Sequence, residues 1–263
     1  MTQQSSDAQK SRVQEYFAQT AEGYVASFSH RTGSDLRRLI ELGEWQPDQV
    51  ALDVATGGGH TALAVAPHVA RVMVTDLTPR MLEKAREFLL AQGVTNAQFQ
   101  VADAELLSFA DGSFDRVTCR IAPHHFPNMA LAVREAARVL KPGGLFLLID
   151  CMAPDDPELD AFDNTVEKWR DQSHGRSCTA QEWETFFAQA GLRIEHREFF
   201  RKTHDFDDWT ARSKMAPEQK AQLARFILES KPSIRRYFEV VQRPDGSLES
   251  FTNDFILLKG RKS

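Results

Sequence analysis

The sequence contains few cysteines, and they lie far apart. Cys119, Cys151 and Cys178 are the only three in 263 residues, and no Cys-x-x-Cys pair occurs. Disulfide-stapled domains and structural zinc sites both need closely grouped cysteines, so neither arrangement is expected. Isolated cysteines of this kind are typical of a protein from a reducing compartment.

Long apolar segments are also missing. The longest strongly apolar run is Leu145–Ile149, whereas a membrane-spanning helix needs roughly 20 apolar residues. The first residues, Met1–Arg12, are polar and lack the apolar centre of a signal peptide. These observations predict a cytoplasmic protein that does not enter a membrane.

Positive charge is not in excess. The chain has 32 basic and 37 acidic residues, a net charge of −5, whereas a nucleic-acid binder needs a basic surface. Aromatic and basic residues between 197 and 206 could stack on RNA bases. Acidic residues on either side cancel that charge, so we expect no nucleic-acid partner.

No internal repeat is present, and 263 residues fit one elaborated domain. The central part alternates short apolar runs with helical patterns, which is typical of a parallel sheet covered by helices on both faces. The predicted strands are 50–55, 70–76, 97–101, 114–121 and 145–151, and the predicted helices are 61–66, 81–92 and 129–140.

Helical patterns dominate both flanks of this core, and we expect them to cover the edge of the sheet where a ligand binds. The predicted divisions of the single domain (1–263) are an N-terminal helical cover (1–45), a ligand-binding core (46–152), a helical cap with one sheet strand (153–240) and a C-terminal hairpin strand (241–263). The cover is predicted as three helices, 8–19, 21–29 and 34–43. The hairpin turns at Pro244-Asp245-Gly246 and is expected to close the sheet edge.

The segment Asp53-Val54-Ala55-Thr56-Gly57-Gly58-Gly59 lies between a predicted buried strand and a helix. Glycines there let the backbone turn sharply and approach a ligand, and the helix offers free N–H groups. The G-x-G-x-x-G spacing of dinucleotide-binding proteins is absent, which disfavours a nicotinamide-dependent oxidoreductase. Because a carboxylate repels a pyrophosphate, Asp53 is expected either to orient the loop N–H groups or to meet the ammonium group of an amino-acid ligand.

Two further acids lie at the ends of successive predicted strands. Asp76 lies 23 residues after Asp53 and is placed to accept both hydroxyl groups of a ribose. Asp103 follows the third strand and is placed to accept the exocyclic amine of adenine. Because the carboxyl ends of parallel strands meet at one edge of a sheet, the three acids are expected to line one ligand crevice.

Four elements in this order resemble the class I S-adenosylmethionine-dependent methyltransferases. They are the glycine segment with Asp53, the strand end at Asp76, the pair Asp103-Ala104 and the turn Leu140-Lys141-Pro142-Gly143-Gly144. Over about residues 45–152 the chain is similar to the methyltransferase-11 group near the ubiquinone/menaquinone C-methyltransferases. The stretches Cys119–Pro127 and Asn164–His174 resemble a bacterial subgroup of small-molecule methyltransferases. The chain departs from the broad family at Ala55, which is often glycine, although quinone-methylating relatives share alanine there.

The resemblance implies a Rossmann-like, doubly wound α/β fold with a mostly parallel seven-stranded sheet, helices on both faces and a helical cap. It also implies S-adenosyl-L-methionine as the cofactor. The implied contacts are Gly57 and Gly59 with the methionine part, Asp76 with the ribose, Leu77 with one adenine face, Asp103 with the adenine amine, the Arg120 carbonyl with the cofactor amine, and Tyr24 as a cover. The other expected cofactor-binding residues are Asp53, Ala55, Thr56, Met81 and Ala104.

Two adjacent histidines, His124 and His125, follow the fourth predicted strand in a loop bounded by Pro123 and Pro127. A neutral histidine at the crevice can take a proton from an acceptor molecule, and a base is needed only where the acceptor is protonated. We predict them as the catalytic residues, with His125 slightly favoured. The alternative is that they bond backbone groups and shape the loop.

A second polar group is predicted on the helix that precedes Gly175, where residues at spacings of three and four share one face. The predicted acceptor-pocket residues are Asn164, Glu167, Arg170, Asp171 and His174. The alternative is a solvent-exposed helix face with a Glu167–Arg170 or Arg170–His174 pair. No spacing typical of a metal site is found among the histidines, so no metal is expected.

The sequence therefore predicts an S-adenosylmethionine-dependent methyltransferase that acts on O, N or C of a small molecule by in-line transfer, as a monomer or homodimer. The first alternative is a non-catalytic protein that senses S-adenosylmethionine. The weaker alternative is the nicotinamide-dependent oxidoreductase.

Overall fold

The structure is a computed structural model that describes residues 3–25 and 33–263, with side chains described for 4–19 and 33–263. The helices are α1 (Gln3–Val25), α2 (Ser34–Leu42), α3 (His60–Val65), α4 (Pro79–Ala91), α5 (Met129–Val139), α6 (Pro157–Arg170), α7 (Ala180–Gln189), α8 (Phe206–Arg212), α9 (Pro217–Leu228) and α10 (Pro232–Tyr237), with short 3-10 helices at Ala66–His68 and Pro123–His125. The strands are β1 (Val50–Val54), β2 (Arg71–Asp76), β3 (Ala97–Val101), β4 (Phe114–Arg120), β5 (Leu140–Met152), β6 (Leu192–Asp205), β7 (Val241–Gln242) and β8 (Leu248–Lys262). None of the helices in these described ranges is long and apolar enough to cross a membrane.

The strands of the described residues form one sheet. Its order is β3-β2-β1-β4-β5-β8-β6, and the two-residue β7 pairs with β8 beside this path. The first five strands of that order are parallel, whereas β8 runs antiparallel to both β5 and β6. The prediction of a doubly wound, mostly parallel sheet with seven main strands is confirmed.

Both faces of the sheet are covered because successive strand residues point to opposite sides and both sets are apolar. Leu52 of β1 belongs to a cluster with α5 and α7 that includes Trp183 and Phe187. Ala51 of the same strand belongs to the opposite cluster, which contains residues of α3 and α4. A further apolar cluster joins α6 to α8, α9, α10 and β8.

The order of the strands reverses between β1 and β4. From β1 the chain adds β2 and β3 on one side, and then returns to place β4 on the other side. In open α/β sheets the crevice at the carboxyl ends of the strands around this point is where ligands bind. Val54, Asp76 and Arg120 end β1, β2 and β4 at this crevice.

Two predictions about the flanks are wrong. The sequence predicts a helix break between residues 19 and 21, whereas α1 continues to Val25 because no proline interrupts it; residues 26–29 lie outside the described part. The C-terminal hairpin does not close the sheet edge, since β8 lies between β5 and β6 and β6 is the edge strand. The interior place of β8 fits its burial, which is continuous from Phe251 to Gly260.

Candidate functional site

The loop after β1 turns the chain sharply into α3. Ala55, Gly57 and Gly59 have positive φ angles of 52°, 54° and 84°, a conformation that is unfavourable for residues with a Cβ. A Cβ added at Gly59 would lie 3.3 Å from the Cβ of Ala85 in α4, so glycine there also permits close packing of the loop on that helix. The loop backbone therefore stays close to the crevice.

Asp53 is buried behind this loop. Its carboxylate accepts a hydrogen bond from the hydroxyl of Thr56 at 2.6 Å and another from the hydroxyl of Thr118 at 2.7 Å. Burial raises the pKa of Asp53 to about 6, although these hydrogen bonds act in the opposite direction. The geometry favours the alternative in which Asp53 orients the loop over the one in which it meets an ammonium group.

Asp76 braces the same loop from the end of β2. One of its oxygens accepts the backbone N–H of Gly57 at 3.1 Å, and the other accepts the N–H of Thr78 at 2.8 Å. Burial raises the pKa of Asp76 to about 6. The carboxylate stands at the crevice with part of its hydrogen-bonding capacity unused, because a carboxylate has about four acceptor sites.

Asp103, after β3, is paired with a lysine of α1. The Lys10 ammonium lies 2.6 Å from an oxygen of Asp103 and 2.7 Å from an oxygen of Glu105. Burial would lower the pKa of Lys10, but the two carboxylates outweigh it and the pKa is raised. The pair holds α1 across the end of the sheet.

Most of the expected cofactor-binding residues line one cleft at the crevice, with about 960 Å³ of space free of protein atoms, open solvent included. The expected cofactor-binding residues that line it are Ala55, Thr56, Gly57, Asp76, Leu77, Met81, Asp103, Ala104 and Arg120. Asp53 and Gly59 do not line it. The side chain of Tyr24 lies outside the described residues.

The sequence predicted an N-terminal helical cover at this crevice, but not which residues of α1 would form it. Lys10, Val13 and Phe17 line the cleft, and the Gln14 amide donates to the backbone oxygen of Leu77 at 3.0 Å. Spacings of three and four residues place those three on one helical face, which was a signal available in the sequence. The other lining residues that were not predicted are Gly58, His60, Thr61, Ala102, Glu105, Ile121, Ala122, Phe126 and Pro127. Of the residues that the structure describes, none from 153–240 lines the cleft.

The side chain of Arg120 makes a buried ion pair that the sequence did not indicate. Its guanidinium lies 2.8 Å from the carboxylate of Asp35 in α2, and the Lys202 ammonium lies 3.3 Å from the same oxygen. Burial alone would raise the pKa of Asp35, but the two cations outweigh it and the pKa is lowered. The pair joins α2 to the end of β4 across 85 residues of sequence, a separation that no local pattern spans.

His124 is held by an acid and does not line the cleft. Its Nδ1–H donates to one oxygen of Asp150 at 2.7 Å, and its backbone N–H donates to the other at 2.8 Å. Burial would lower the pKa of His124, but the Asp150 carboxylate outweighs it and the pKa is raised. This histidine therefore matches the alternative in which a histidine bonds its neighbours and shapes the loop.

His125 does line the cleft. Its Nδ1 lies 3.1 Å from the carbonyl oxygen of Ser173, and no hydrogen bond found among the described residues uses its Nε2. Burial and the charge of His124, whose ring centre is 4.1 Å away, lower the pKa of His125 to about 3. At neutral pH this ring is therefore uncharged, as a proton acceptor must be.

The polar residues of α6 and of the turn after it are buried, so the solvent-exposed alternative is wrong. Glu167, Asp171 and His174 are only 7%, 0% and 1% exposed. The helix ends at Arg170, earlier than predicted, because the Asp171 carboxylate accepts the N–H and the Oγ–H of Ser173 and turns the chain. Burial and the adjacent His124 hold the pKa of His174 well below its usual range.

The same group contains one of the expected ion pairs. Arg170 lies 3.3 Å from the Glu167 carboxylate. The Asn164 side-chain oxygen accepts from Nε2 of His174 at 3.1 Å and from the backbone N–H of Ser177 at 2.7 Å. None of these residues lines the cleft, and their contact with an acceptor stays a prediction.

One group of described residues brings metal-type ligand atoms together, namely His124, Asp150 and Cys151, whose atoms lie within 4.8 Å of one another. The histidine and carboxylate atoms already share a hydrogen bond of 2.7 Å. Burial raises the pKa of the Cys151 thiol well above its usual range, which disfavours the thiolate that a metal would need. The arrangement is therefore that of a hydrogen-bonded pair beside a thiol.

Comparisons with known proteins agree on one class. A family model described as a methyltransferase domain matches residues 52–148. The uncharacterized methyltransferase YcgJ of Bacillus subtilis is 37% identical over 246 residues, which cover 94% of this chain and 97% of that protein. The ubiquinone/menaquinone biosynthesis C-methyltransferase UbiE of Brucella canis is 35% identical over 144 residues, which cover 53% of this chain and 52% of that protein.

Solved structures extend the agreement to the fold. The crystal structure of YcgJ matches with a TM-score of 0.85 at 36% identity, covering 88% of this chain and 99% of that one. The geranyl diphosphate C-methyltransferase of Streptomyces coelicolor, solved with S-adenosyl-L-homocysteine, has a TM-score of 0.58 at 14% identity and covers 88% of this chain and 78% of that one, so it shares the fold alone. These relatives contradict the oxidoreductase alternative.

Proposed function

Since this chain belongs to the S-adenosylmethionine-dependent methyltransferases, we propose that it transfers the methyl group of that cofactor to a small-molecule acceptor, with His125 taking the acceptor's proton. One observation carries this proposal. His125 lines the same cleft as the glycine loop and Asp76. A cofactor held by the loop and the acid would thus share its cleft with an uncharged base.

In this proposal the adenosine part of the cofactor lies against the ends of β2 and β3. Asp76 accepts the ribose hydroxyls, Leu77 covers one face of the adenine, and Asp103 accepts the adenine amine. One oxygen of Asp103 accepts a hydrogen bond from Lys10, and the other accepts one from the backbone N–H of Glu105. Each oxygen therefore keeps a lone pair for a further donor. The same reasoning supports the ribose contact of Asp76.

The methionine part lies against the loop after β1. Asp53 acts there indirectly, because it holds the Thr56 hydroxyl and with it the loop backbone. The remaining proposed cofactor contacts are Ala55, Thr56, Gly57, Met81, Ala104, the backbone carbonyl of Arg120, and Tyr24. Gly59, which does not line the cleft, contributes through the shape of the loop. We further propose that the flank 1–45 covers the cleft, which the lining of the cleft by α1 supports.

Methyl transfer is an in-line displacement at a methyl group whose leaving sulfide is already good, so positioning supplies much of the rate. The sulfonium loses its positive charge in the transition state. A carboxylate against the sulfur would therefore stabilise the ground state more than the transition state and slow the reaction. Carboxylates are better placed at the ribose and adenine, because the charge on these parts of the cofactor does not change during the reaction.

A weak base is sufficient for the acceptor. As the bond to the methyl carbon forms, the acceptor becomes positively charged and its O–H or N–H proton becomes strongly acidic. Nε2 of His125 can accept that proton even though burial and His124 lower the pKa of this histidine to about 3. The proton then leaves the acceptor while the electron pair of the carbon–sulfur bond leaves with the sulfide.

The cleft near His125 is largely apolar. Phe17 contacts the His125 ring edge-on, with ring centres 5.0 Å apart, and Ile121 and Phe126 also line the cleft. These neighbours favour an acceptor with an apolar body that presents one O–H or N–H, including the O–H of an enol, to Nε2. A net charge of −5 disfavours a nucleic-acid acceptor.

The test is transfer of a labelled methyl group from S-adenosylmethionine to a panel of small phenols, thiols, amines and enolizable carbonyl compounds. We expect His125→Gln to lower turnover by about 10²- to 10⁴-fold and to leave the affinity for S-adenosylhomocysteine unchanged. His124→Gln is the matched control and should lose less activity, because His124 does not line the cleft. Equal losses of turnover and cofactor affinity in His125→Gln would contradict a base.

A further inference from the structure

The turn after α6 lies directly behind His125. The Nδ1 atom of His125 is 3.1 Å from the carbonyl oxygen of Ser173 and 3.2 Å from its hydroxyl oxygen. That hydroxyl donates to the carboxylate of Asp171 at 2.5 Å, and the Ser173 backbone N–H donates to the same oxygen at 2.8 Å. A continuous chain of hydrogen bonds thus connects the histidine of the cleft to a buried acid.

This chain decides which ring nitrogen of His125 carries the proton. A carbonyl oxygen can only accept, and the Ser173 hydroxyl has already given its proton to Asp171, so both groups need Nδ1 to be the donor. The carbonyl is itself fixed, since the Gln9 amide of α1 also donates to it at 2.6 Å. With the proton on Nδ1, the lone pair is on Nε2, which no hydrogen bond found among the described residues uses.

Asp171 also places a buried negative charge close to His125. The residue is 0% exposed, and its second carboxylate oxygen has no hydrogen-bond partner among the described residues. A positive charge on His125 offsets the cost of this buried anion, so Asp171 stabilises the imidazolium that forms when His125 takes a proton. The titratable and charged groups around His125 are His124 with Asp150, Arg170, Asp171 and His174.

From this geometry we propose that Asp171 and Ser173 are positioning residues that hold His125 as the tautomer with hydrogen on Nδ1, so that the Nε2 lone pair is available in the cleft. The inference rests on the proposed function of His125. It adds a role for two residues that do not contact the cleft. Asp150 is hydrogen-bonded to the ring of His124 and not to that of His125, so it has no part in setting the tautomer of His125.

The test is a two-bond proton–nitrogen correlation spectrum of the histidine rings in full-length protein labelled with ¹⁵N-histidine, recorded near neutral pH without ligand. The wild-type protein should show His125 with a protonated Nδ1 and an unprotonated Nε2. Asp171→Ala releases the Ser173 turn, and the spectrum should change to a mixture of tautomers. Asp171→Asn keeps an oxygen that accepts both Ser173 donors and should keep the wild-type pattern.

Two controls separate this proposal from a general loss of structure. Asp150→Asn, at a similarly buried acid, should alter the signals of His124 and leave the tautomer of His125 unchanged. Ser173→Ala removes only the hydroxyl, so it should give a smaller change than Asp171→Ala and provides a second test if that variant does not fold. A wild-type proton on Nε2 of His125, or an unchanged tautomer in Asp171→Ala, would overturn the proposal.

The spectra and the activity of His125→Gln together distinguish this inference from the proposed function. Full methyl-transfer activity in His125→Gln would overturn the role of His125 as a base, whichever tautomer the wild-type protein shows. If the wild-type protein carries the proton on Nε2 of His125 and His125→Gln loses activity, the positioning role is overturned and the role of His125 as a base is kept.

Discussion

Burial is the main cause of the unusual acid–base properties of single residues in this cleft. It raises the pKa values of Asp53 and Asp76 to about 6 from an ordinary value of 3.8. The folded protein then binds more protons than the unfolded chain between these values, so these two groups make stability fall as the pH rises from about 4 to about 6. This loss of stability accompanies the burial of two hydrogen-bond acceptors, Asp53 and Asp76, beside the glycine loop.

The affinity for S-adenosylhomocysteine should depend on pH through Asp76. Below about pH 6 this carboxyl is protonated in the free protein, and ribose hydroxyls bind the ionised form better. We expect the affinity to be constant above about pH 7 and to fall by up to about tenfold per pH unit below 6. Calorimetric titration over this range measures it.

Asp76→Asn serves as the matched variant, because it keeps the shape and removes the charge. Hydrogen bonds to a charged group contribute about 1.5–3 kcal/mol, so the variant should bind about 10- to 100-fold more weakly at pH 8. Its pH profile should also be flatter. Parallel profiles for the two proteins would show that another group titrates.

The residues that were predicted from sequence are those with local signals. Asp53, Asp76 and Asp103 each lie at or near the end of a strand, and a strand end is recognisable from an apolar run followed by a turn. The contact between Ser173 and His125 carried no such signal, because it spans 48 residues. Only the folded chain brings these two together.

At the scale of elements, the loop after β1 and helix α4 form a packed unit. Gly59 permits their contact, because a Cβ there would lie 3.3 Å from the Cβ of Ala85. Positive φ at Gly59 adds a conformational requirement to this steric one. The position therefore constrains both the stability of the fold and the shape of the cleft.

Gly59→Ala should lower the free energy of unfolding by about 1–2 kcal/mol from backbone strain alone, and should also weaken S-adenosylhomocysteine binding because the loop must shift. Gly93→Ala is the control. Gly93 has a similar φ of 78°, but a Cβ there would meet no atom within 4 Å. It should show the loss of stability in thermal unfolding without the loss of affinity, and equal affinity losses in both variants would contradict the packing argument.

The ends and positions of elements were predicted less well than their existence. Helix α6 ends at Arg170 because the Asp171 side chain offers the backbone an alternative set of hydrogen bonds, which competes with the helix. The place of β8 inside the sheet depends on pairing with strands that are distant in sequence. Neither property follows from the periodicity of apolar residues.

At the scale of the whole molecule, the doubly wound topology explains why the cleft combines residues from separate parts of the chain. The carboxyl ends of the parallel strands β1, β2, β3 and β4 lie at one edge of the sheet. Helix α1 crosses that edge and contacts it with the side chains of Lys10 and Gln14. The family resemblance predicted the first part, because strand order belongs to the family. The sequence predicted an N-terminal cover at this edge, but not its contacts through Lys10 and Gln14.

The most direct test of the account is a crystal structure of the protein with S-adenosylhomocysteine. The ribose should lie within hydrogen-bond distance of Asp76 and the adenine amine within hydrogen-bond distance of Asp103. The sulfur should then face the part of the cleft lined by His125, with space between them for the attacking atom of an acceptor. A ligand whose sulfur points away from His125, or one bound outside this cleft, would contradict the account.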